Sequence, residues 1–363
     1  MNKINKNRTY IIAEAGVNHN GSLDMATKLI DIAVDSGADA VKFQTFKAAR
    51  VVSRSSPKAE YQTKTTDASE SQFDMIKKLE LDETAHKLLI EHCRKQGIQF
   101  LSTPFDAESV DLLAKTFGLP ILKLPSGEIT NAPLLLKAAQ TGKSVILSTG
   151  MSTLGEIESA LGVLAFGYMG RAGNPSLEVF QRAFYSEKGQ MTLKEKVTLL
   201  HCTTEYPAPF NEANLKAIDT MRAAFGLPIG FSDHTQGIAI ALAAVARGAV
   251  AIEKHFTLDR NLPGPDHKAS LEPHELKSMV QSVRQVETAL GSGLKLPSMS
   301  EMKNIKTARK SLAAANDIKK GELFTDDNLT AKRPGNGISP LNYWDLLGKV
   351  SNRDYLQDEI IKI

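Results

Sequence analysis

Two histidines at the ends of apolar segments are the residues whose types and spacing most directly suggest chemistry in this chain. His234 ends the run Pro228–His234, and His255 ends the run Val250–His255. The histidines lie 21 positions apart, with an alanine-rich stretch of helix length between them. Parallel strands joined by a helix end on the same edge of a sheet. The spacing therefore predicts that the two imidazoles converge into a candidate metal site.

The number of histidines restricts the kind of metal site. Two imidazoles are too few for a closed zinc site, but they suit a hydrated Mn²⁺, Mg²⁺ or Co²⁺ ion with positions open to substrate and water. Because imidazole must be neutral to bind metal, we expect activity to be lost on the acid side, near the ordinary histidine pKa of roughly 6.5. His201 is a third candidate, but its deeper position along its strand favours a structural role.

Three lysines near the ends of apolar runs suggest an anionic ligand. We predict that Lys42, Lys123 and Lys254 lie together at the opening of one pocket. Neutral donors at similar positions are Ser102, Thr103, Ser126, Ser148 and Ser232. A single lysine often extends to solvent along an apolar surface, but three together suit a ligand that carries both a phosphate and a carboxylate.

The elements that must position these residues are eight short runs of apolar and β-branched residues with polar ends. They are Tyr10–Gly16, Ala40–Phe46, Ile98–Phe105, Ile121–Glu128, Ser144–Met151, Val197–Tyr206, Pro228–Thr235 and Val250–Thr257. Such runs are typical of strands buried on both faces, and helical patterns lie between them. The alternation predicts an α/β fold, a TIM (β/α)8 barrel with its active site at the carboxyl ends of the strands. A doubly wound sheet is the alternative.

The remainder of the chain departs from this rhythm in two places. The polar insertion Gly167–Lys196 is interpreted as a surface excursion. After the barrel domain, 1–291, we predict a polar linker, 292–307, and a small turn-rich domain, 308–363.

Composition excludes several classes of protein. The 363 residues carry a net charge of +3 with scattered lysines, so no basic stripe for nucleic acid is present. No apolar run of about 18 residues indicates a membrane span, and no run resembles a signal peptide. Cys93 and Cys202 lie in apolar surroundings and are predicted to be reduced. A cytoplasmic enzyme is expected.

Eight short motifs, in order, resemble the sialic acid synthase (nonulosonate synthase) family. They are Ile11–Gly21, Val41–Thr45, Ser102–Phe105, Pro125–Glu128, Leu147–Met151, Phe231–Thr235, Glu253–Thr257 and Gly264–His267. The segment Lys332–Gly337 is similar to that family's C-terminal SAF, or antifreeze-like, domain. The resemblance covers nearly the whole chain.

The resemblance implies condensation of phosphoenolpyruvate with an open-chain N-acetylated amino sugar, with release of phosphate. It also implies a divalent metal, most often Mn²⁺ or Mg²⁺. Our first interpretation takes N-acetylmannosamine as the sugar and N-acetylneuraminate as the product. The alternative is 2,4-diacetamido-2,4,6-trideoxymannose, which would give N,N'-diacetyllegionaminate.

Site residues follow from the resemblance position by position. The metal ligands would be His234 and His255. The phosphoenolpyruvate contacts would be Lys42, Thr103, Lys123, Ser126, Ser148 and Ser232, to which the cluster of lysines adds Lys254. The sugar contacts would be Gln44, Glu128, Tyr206, Asp266 and Arg333. Glu128 is the first choice for activating the water that adds to C2 of phosphoenolpyruvate, and Glu14 is the second. The family's domain-swapped homodimer implies that Arg333 reaches the active site of the partner subunit.

Two other kinds of protein remain open at this point. A Schiff-base aldolase would also use a barrel and a lysine, but it would need neither paired histidines nor three cations. Ice or sugar binding by the C-terminal segment is opposed by its many charged residues, among them Asp317, Lys319 and Glu322.

Overall fold

The computed structural model describes residues 8–58, 63, 66, 70–170 and 173–362. Contacts divide the chain into two compact units, 1–291 and 292–363. Each unit has its own core and is described by itself.

Eight parallel strands build the first unit. They are β1 (Tyr10–Gly16), β2 (Ala40–Thr45), β3 (Gln99–Pro104), β4 (Ile121–Leu124), β5 (Ser144–Ser148), β6 (Val197–Cys202), β7 (Ile229–Asp233) and β8 (Ala251–His255). The hydrogen-bonded order is β3-β2-β1-β8-β7-β6-β5-β4, and β3 also contacts β4. The sheet therefore curls into a barrel, which confirms the predicted fold and excludes the doubly wound alternative. Several strands end before the predicted boundary, so the motifs that follow them lie in loops.

Helices alternate with these strands. They are α1 (Leu23–Asp35), α2 (Ala48–Val51), α3 (Gln72–Lys77), α4 (Glu83–Gln96), α5 (Ala107–Asp111), α6 (Ala132–Gln140), α7 (Leu154–Tyr168), α8 (Leu177–Tyr185), α9 (Glu187–Lys196), α10 (Lys216–Phe225), α11 (Ala239–Ala246) and α12 (Pro273–Leu290). Helix α1 shows the pattern, since Ser22 caps its first turn and its apolar stripe is buried against the barrel. Within the described part of the chain, no helix combines the length and apolar character that a membrane crossing requires.

The inner face of the barrel has an apolar layer at its base. It contains Ile12, Ala40, Leu101, Ile121, Ile146, Leu200 and Ala251. On β7 the corresponding position is Gly230, where a Cβ atom would lie 2.6 Å from Leu200 Cδ2 and 2.7 Å from the Ala251 carbonyl oxygen. Because side chains alternate along a strand, the next inward position is two residues further on. At that level the inner face becomes polar, and this change forms the floor of a pocket.

The insertion between β5 and β6 is helical, which corrects its interpretation as a surface excursion. Helices α8 and α9 pack against α7, and Ala183 and Leu193 are buried there. Gly162 allows the approach, because a Cβ atom at that position would lie 2.9 Å from the Phe180 carbonyl oxygen. The insertion is polar overall, but it contains apolar residues at helical spacing. Ser176 and Ser186 cap its two helices.

The second unit is a small domain built on the antiparallel pair β9 (Ser311–Ala314) and β10 (Leu329–Lys332). Its core includes Leu312, Phe324 and Tyr355. Two helices complete it, α13 (Met299–Ala308) and α14 (Tyr343–Leu346). Helix α13 lies in the stretch interpreted as a linker, and a capping box between Ser298 and Glu301 begins it.

Candidate active site

A pocket of about 280 Å³ opens at the carboxyl ends of the barrel strands. Its floor is the polar layer that lies above the apolar layer at the base of the barrel, which we call the apolar plug. This size suits a small organic ligand rather than a macromolecule.

Four buried charges form the floor of the pocket. Lys42 Nζ lies 2.6 Å from Glu14 Oε2 and 3.5 Å from Glu253 Oε2. Lys123 Nζ lies 3.3 Å from Glu253 Oε1, which also accepts a 2.8 Å hydrogen bond from Ser232 Oγ. Glu253 therefore lies between the two lysines and compensates part of the charge of each. The orientation of its side chain follows from the sequence, since Glu253 precedes His255 by two residues and so shares its face of β8. Residue type and spacing alone nevertheless suggested no role for it.

The two carboxylates of this cluster differ in protonation. Burial raises the pKa of Glu14 to about 7 against the attraction of Lys42, and the neighbouring charge of Glu253 acts in the same direction as burial. Burial also acts to raise the pKa of Glu253, but Lys123 and Lys42 overcome it and hold that pKa well below its ordinary value. Glu253 is thus a fixed anion, whereas Glu14 can take up or release a proton near neutral pH.

The two histidines lie side by side at the rim, with ring centroids 5.7 Å apart. His234 Nδ1 lies 2.6 Å from the Thr203 carbonyl oxygen, so Nδ1 carries the proton and the electron pair is on Nε2. The ring of Tyr206 lies 4.3 Å from that of His234 and 5.6 Å from that of His255, between centroids. Burial lowers the pKa of His234 to about 4 and that of His255 well below its ordinary value. Both imidazoles are therefore neutral over most of the pH range.

This donor set fits a metal ion. The buried Nδ1 of His255 has no hydrogen-bond partner, and it lies 4.0 Å from Oδ2 of Asp266. Two neutral imidazoles leave the remaining coordination positions to oxygen ligands, as the sequence analysis predicted. Within the described residues, no group of three or more histidine, cysteine or acidic side chains has the arrangement of a metal site. The metal therefore remains a prediction.

Four of the five predicted hydroxyl donors, Thr103, Ser126, Ser148 and Ser232, line the same pocket. Ser102 does not, and its Oγ lies 2.7 Å from Thr45 Oγ1. Thr103 Oγ1 accepts a 3.0 Å hydrogen bond from Lys42 Nζ, and Ser126 Oγ accepts one of 2.9 Å from the Gly150 amide. Ser148 Oγ is buried in the lining without a hydrogen-bond partner. A buried hydroxyl without a partner is costly, which points to a ligand that completes the site. The predicted sugar contacts Gln44, Tyr206 and Asp266 also line the pocket.

Close packing beside Ser126 and Thr204 requires glycine at position 150. A Cβ atom there would lie 2.3 Å from Thr204 Oγ1 and 2.9 Å from Ser126 Oγ. The absent side chain lets the backbone amide reach the Ser126 hydroxyl. His201 does not line the pocket, and its Nε2 forms a 2.9 Å hydrogen bond with the Ala213 carbonyl oxygen, consistent with the structural role expected of it.

The structure corrects the placement of Lys254. Side chains alternate along β8, so Lys254 points away from the pocket that Glu253 and His255 face. It is fully buried, and its Nζ lies 2.9 Å from Asp233 Oδ2. The floor of the pocket therefore has two lysines instead of the predicted three.

Glu128 and Arg333 are the other predicted site residues that do not line the pocket. Glu128 lies in the short 3-10 turn after β4, where it accepts a 2.6 Å hydrogen bond from Asn131 Nδ2. It does not line the pocket, unlike Ser126 and Gly127 of the same turn, so Glu14 becomes the first choice for the catalytic carboxylate. Arg333 belongs to the second unit, where it is exposed and donates a hydrogen bond to the Ala308 carbonyl oxygen. Its role toward a partner subunit remains a prediction.

The fold and this site define a class of protein: a (β/α)8 barrel with a pocket lined by two lysines, two histidines and several hydroxyl groups, followed by a small β domain. The chain belongs to the NeuB family, which matches residues 29–295, and a SAF domain matches residues 309–363. Both findings confirm the resemblance noted in the sequence.

Individual relatives cover almost the full chain. It is 57% identical over 355 residues to the N,N'-diacetyllegionaminic acid synthase of Campylobacter jejuni, across 98% of this chain and 99% of the relative. A protein of the same name from Legionella pneumophila is 44% identical, across 93% of this chain and 89% of the relative. The crystal structure of the N-acetylneuraminic acid synthetase of Leptospira borgpetersenii, in complex with citrate, matches with a TM-score of 0.66 and 36% identity, covering 83% of this chain and 91% of that one.

Proposed function

We propose that this protein is an N,N'-diacetyllegionaminate synthase. It would condense phosphoenolpyruvate with open-chain 2,4-diacetamido-2,4,6-trideoxymannose to give N,N'-diacetyllegionaminate and inorganic phosphate. The observation that carries the proposal is the 57% identity to the Campylobacter jejuni enzyme over nearly the full length of both chains. This favours the alternative interpretation of the sequence over the first, in which N-acetylmannosamine is the sugar.

Phosphoenolpyruvate would bind on the polar floor of the pocket. Lys42 and Lys123 supply positive charge, and the hydroxyls of Ser126 and Ser148 supply neutral donors. Ser232 lines the same floor and donates its proton to Glu253. The phosphate and the carboxylate of the substrate need both kinds of group. The Ser148 hydroxyl, which has no hydrogen-bond partner among the described residues, would gain one from the substrate.

In the proposed reaction, C3 of phosphoenolpyruvate forms a bond to the aldehyde carbon of the sugar. Water then adds to C2 and gives up both of its protons, one to the aldehyde oxygen, which becomes a hydroxyl, and one to the phosphate. The bond from C2 to the phosphate oxygen breaks, which leaves a 2-keto acid and inorganic phosphate. Glu14 lines the pocket and has a pKa of about 7, so it is our candidate for the group that accepts a proton from the water. It replaces Glu128 in that role.

His234 and His255 would hold a divalent ion together with oxygen ligands, with Mn²⁺ as the first choice from the family resemblance and Mg²⁺ or Co²⁺ as alternatives. When bound, such an ion would supply Lewis-acid polarisation of the aldehyde oxygen. Titration of the purified protein with Mn²⁺, followed by electron paramagnetic resonance, tests this without turnover. We expect binding by the wild type and its loss in His255→Ala, and equal binding by the two proteins would exclude the ligand role.

The function is tested by measuring phosphate release from phosphoenolpyruvate with each of the two sugars, with the product mass determined. We expect kcat/KM to be higher with the diacetamido sugar than with N-acetylmannosamine. A higher value with N-acetylmannosamine would return the assignment to N-acetylneuraminate synthase, and activity with neither sugar would exclude both.

We extend the proposal to a homodimer. Large apolar side chains in the second unit are exposed, including Met299 at 90%, Leu341 at 86% and Trp344 at 78%. Exposed apolar residues of this size favour a protein interface. The dimer would allow Arg333 to reach the sugar bound in the partner subunit. The expected cytoplasmic location also stays a prediction.

A further inference from the structure

We infer that five side chains at the rim of the pocket bind the C6 methyl group of the sugar and so select a 6-deoxy substrate. This apolar wall consists of Phe46, Val51, Met75, Ile76 and Leu79, all of which line the pocket. The inference rests on the proposed condensation, and it assigns to these residues the choice between a methyl group and a hydroxymethyl group at C6.

The position of the wall follows from the inner face of β2. Lys42 and Gln44 lie on that face, and Phe46 follows immediately after the strand ends at Thr45. At about 3.3 Å per residue, Phe46 lies about 13 Å further along the chain direction than Lys42. Val51 comes from α2, Met75 and Ile76 come from α3, and Leu79 follows α3. The pocket is therefore charged at its floor, polar at mid-height and apolar at one side of its rim.

The wall is packed rather than incidental. Phe46 and Leu79 are buried together with Val17, and Val51 and Ile76 pack against them. The ring of Phe46 also meets that of Phe105 edge to face, with centroids 6.0 Å apart. Such packing holds the apolar surface in place without a ligand.

The reaction determines which end of the sugar meets this wall. The aldehyde carbon must lie beside phosphoenolpyruvate, whose binding groups are on the floor with Lys42 and Lys123. An extended six-carbon chain then runs from the floor toward the rim, so C6 is the carbon that reaches the wall. The wall side chains offer no hydrogen bond to a hydroxyl, apart from the weak acceptor of the Met75 thioether.

A hydroxyl buried against such a surface loses its hydrogen bonds to water, whereas a methyl group gains from burial. Discrimination of this kind by an apolar pocket amounts to about 10–100-fold in kcat/KM. The polar side chains Gln44 and Asp266 remain available to the hydroxyl and amide groups nearer the reacting carbon.

The test compares N-acetylmannosamine with its 6-deoxy analogue, which differ only at C6, at saturating phosphoenolpyruvate. We expect the wild type to prefer the 6-deoxy sugar about 10–100-fold in kcat/KM. Val51→Thr, which adds a hydroxyl with little change of volume, should reduce that preference by roughly 10-fold, and Ile76→Thr should do the same. The KM for phosphoenolpyruvate should not change. Val34→Thr, at a half-buried position of α1 outside the pocket, is the matched control and should keep the wild-type preference.

Two results would overturn the inference: no preference for the 6-deoxy sugar in the wild type, or a preference that survives in both wall variants. Failure of the proposed function would look different, because it concerns turnover of the diacetamido sugar itself. An enzyme that rejects the diacetamido sugar but prefers the 6-deoxy analogue would keep the wall and lose the assignment.

Discussion

Glu14, Lys42, Lys123 and Glu253 have protonation states that depend on one another more than on solvent. All four are nearly fully buried, and two positive charges face two acidic groups. Glu253 stays ionised between two lysines, while Glu14 has a pKa of about 7. One cluster thus contains a permanent anion and a group that can exchange a proton at neutral pH.

Replacing Glu14 by Gln should lower kcat by about 10²–10⁴-fold if Glu14 accepts the proton of the attacking water. The wild-type rate should rise with pH through about 7, as Glu14 loses its proton. The variant should lack that step in a profile of kcat against pH. Glu128→Gln is the control and should retain both the step and most of the rate. A step near pH 7 that persists in Glu14→Gln would contradict the assignment.

The histidine pKa values also change an expectation drawn from the sequence. An acid limb of activity near the ordinary histidine pKa was predicted. Burial lowers the pKa of His234 to about 4 and that of His255 well below its ordinary value. We therefore attribute a step near pH 7 to Glu14 rather than to the imidazoles.

Individual strands show what positions the site. Most inner faces follow one pattern, with an apolar residue at the base and a polar residue two positions further on, as in Ala40 and Lys42 of β2 or Ala251 and Glu253 of β8. Strand β6 departs from it, since Cys202 follows Leu200. Strand alternation converts this pattern into an apolar plug below a polar floor. Strand β7 has glycine at the base, because the neighbouring side chains fill the space.

Gly230→Ala should therefore destabilise the barrel by about 1–3 kcal/mol, the usual consequence of overpacking a core. Its Cβ atom would meet Leu200 and the backbone of Ala251 at distances that require movement. The free energy of unfolding in urea measures the effect. Gly155→Ala in α7, where a Cβ atom has only a contact of 4.0 Å, should leave stability unchanged or slightly improved. Equal stability of the two variants would show that the base of the barrel can relax.

Several histidines are buried in neutral form across the molecule, and this makes its stability depend on pH. Burial lowers the pKa of His19, His234 and His267 to about 4 from an ordinary value of 6.5. The unfolded chain protonates them at higher pH, so their contribution is full above pH about 6.5 and is lost as pH falls toward about 4. Glu14 and Asp266 have raised pKa values and oppose this trend, but they are fewer.

His19→Gln isolates one such contribution, since His19 lies outside the pocket lining. Between pH about 6 and about 5, the wild type should lose about 1.4 kcal/mol more unfolding free energy per pH unit than the variant. Urea unfolding at both pH values gives this difference in slope. Parallel slopes would mean that His19 titrates alike in the folded and unfolded states.

At the scale of the assembly, the proposed exchange of Arg333 between subunits can be tested by complementation. Glu14→Gln and Arg333→Ala homodimers should each have little activity. Co-expression should restore about one quarter of the wild-type activity, because half of randomly assorted dimers have one intact site of two. Absence of recovery, with mixed dimers shown by mass spectrometry, would exclude a site shared between subunits.

The sequence by itself determined the eight strands, their parallel order and the convergence of His234 and His255, since these follow from local patterns and chain direction. It also indicated the orientation of the Lys254 side chain, because a residue between Glu253 and His255 on a strand must face away from the pocket. Only the tertiary structure decided that Glu253 compensates both floor lysines, that Glu128 lies outside the pocket lining, and that residues of α2 and α3 close the rim as an apolar wall. These depend on loop geometry and on contacts between residues far apart in the chain, which no local spacing encodes.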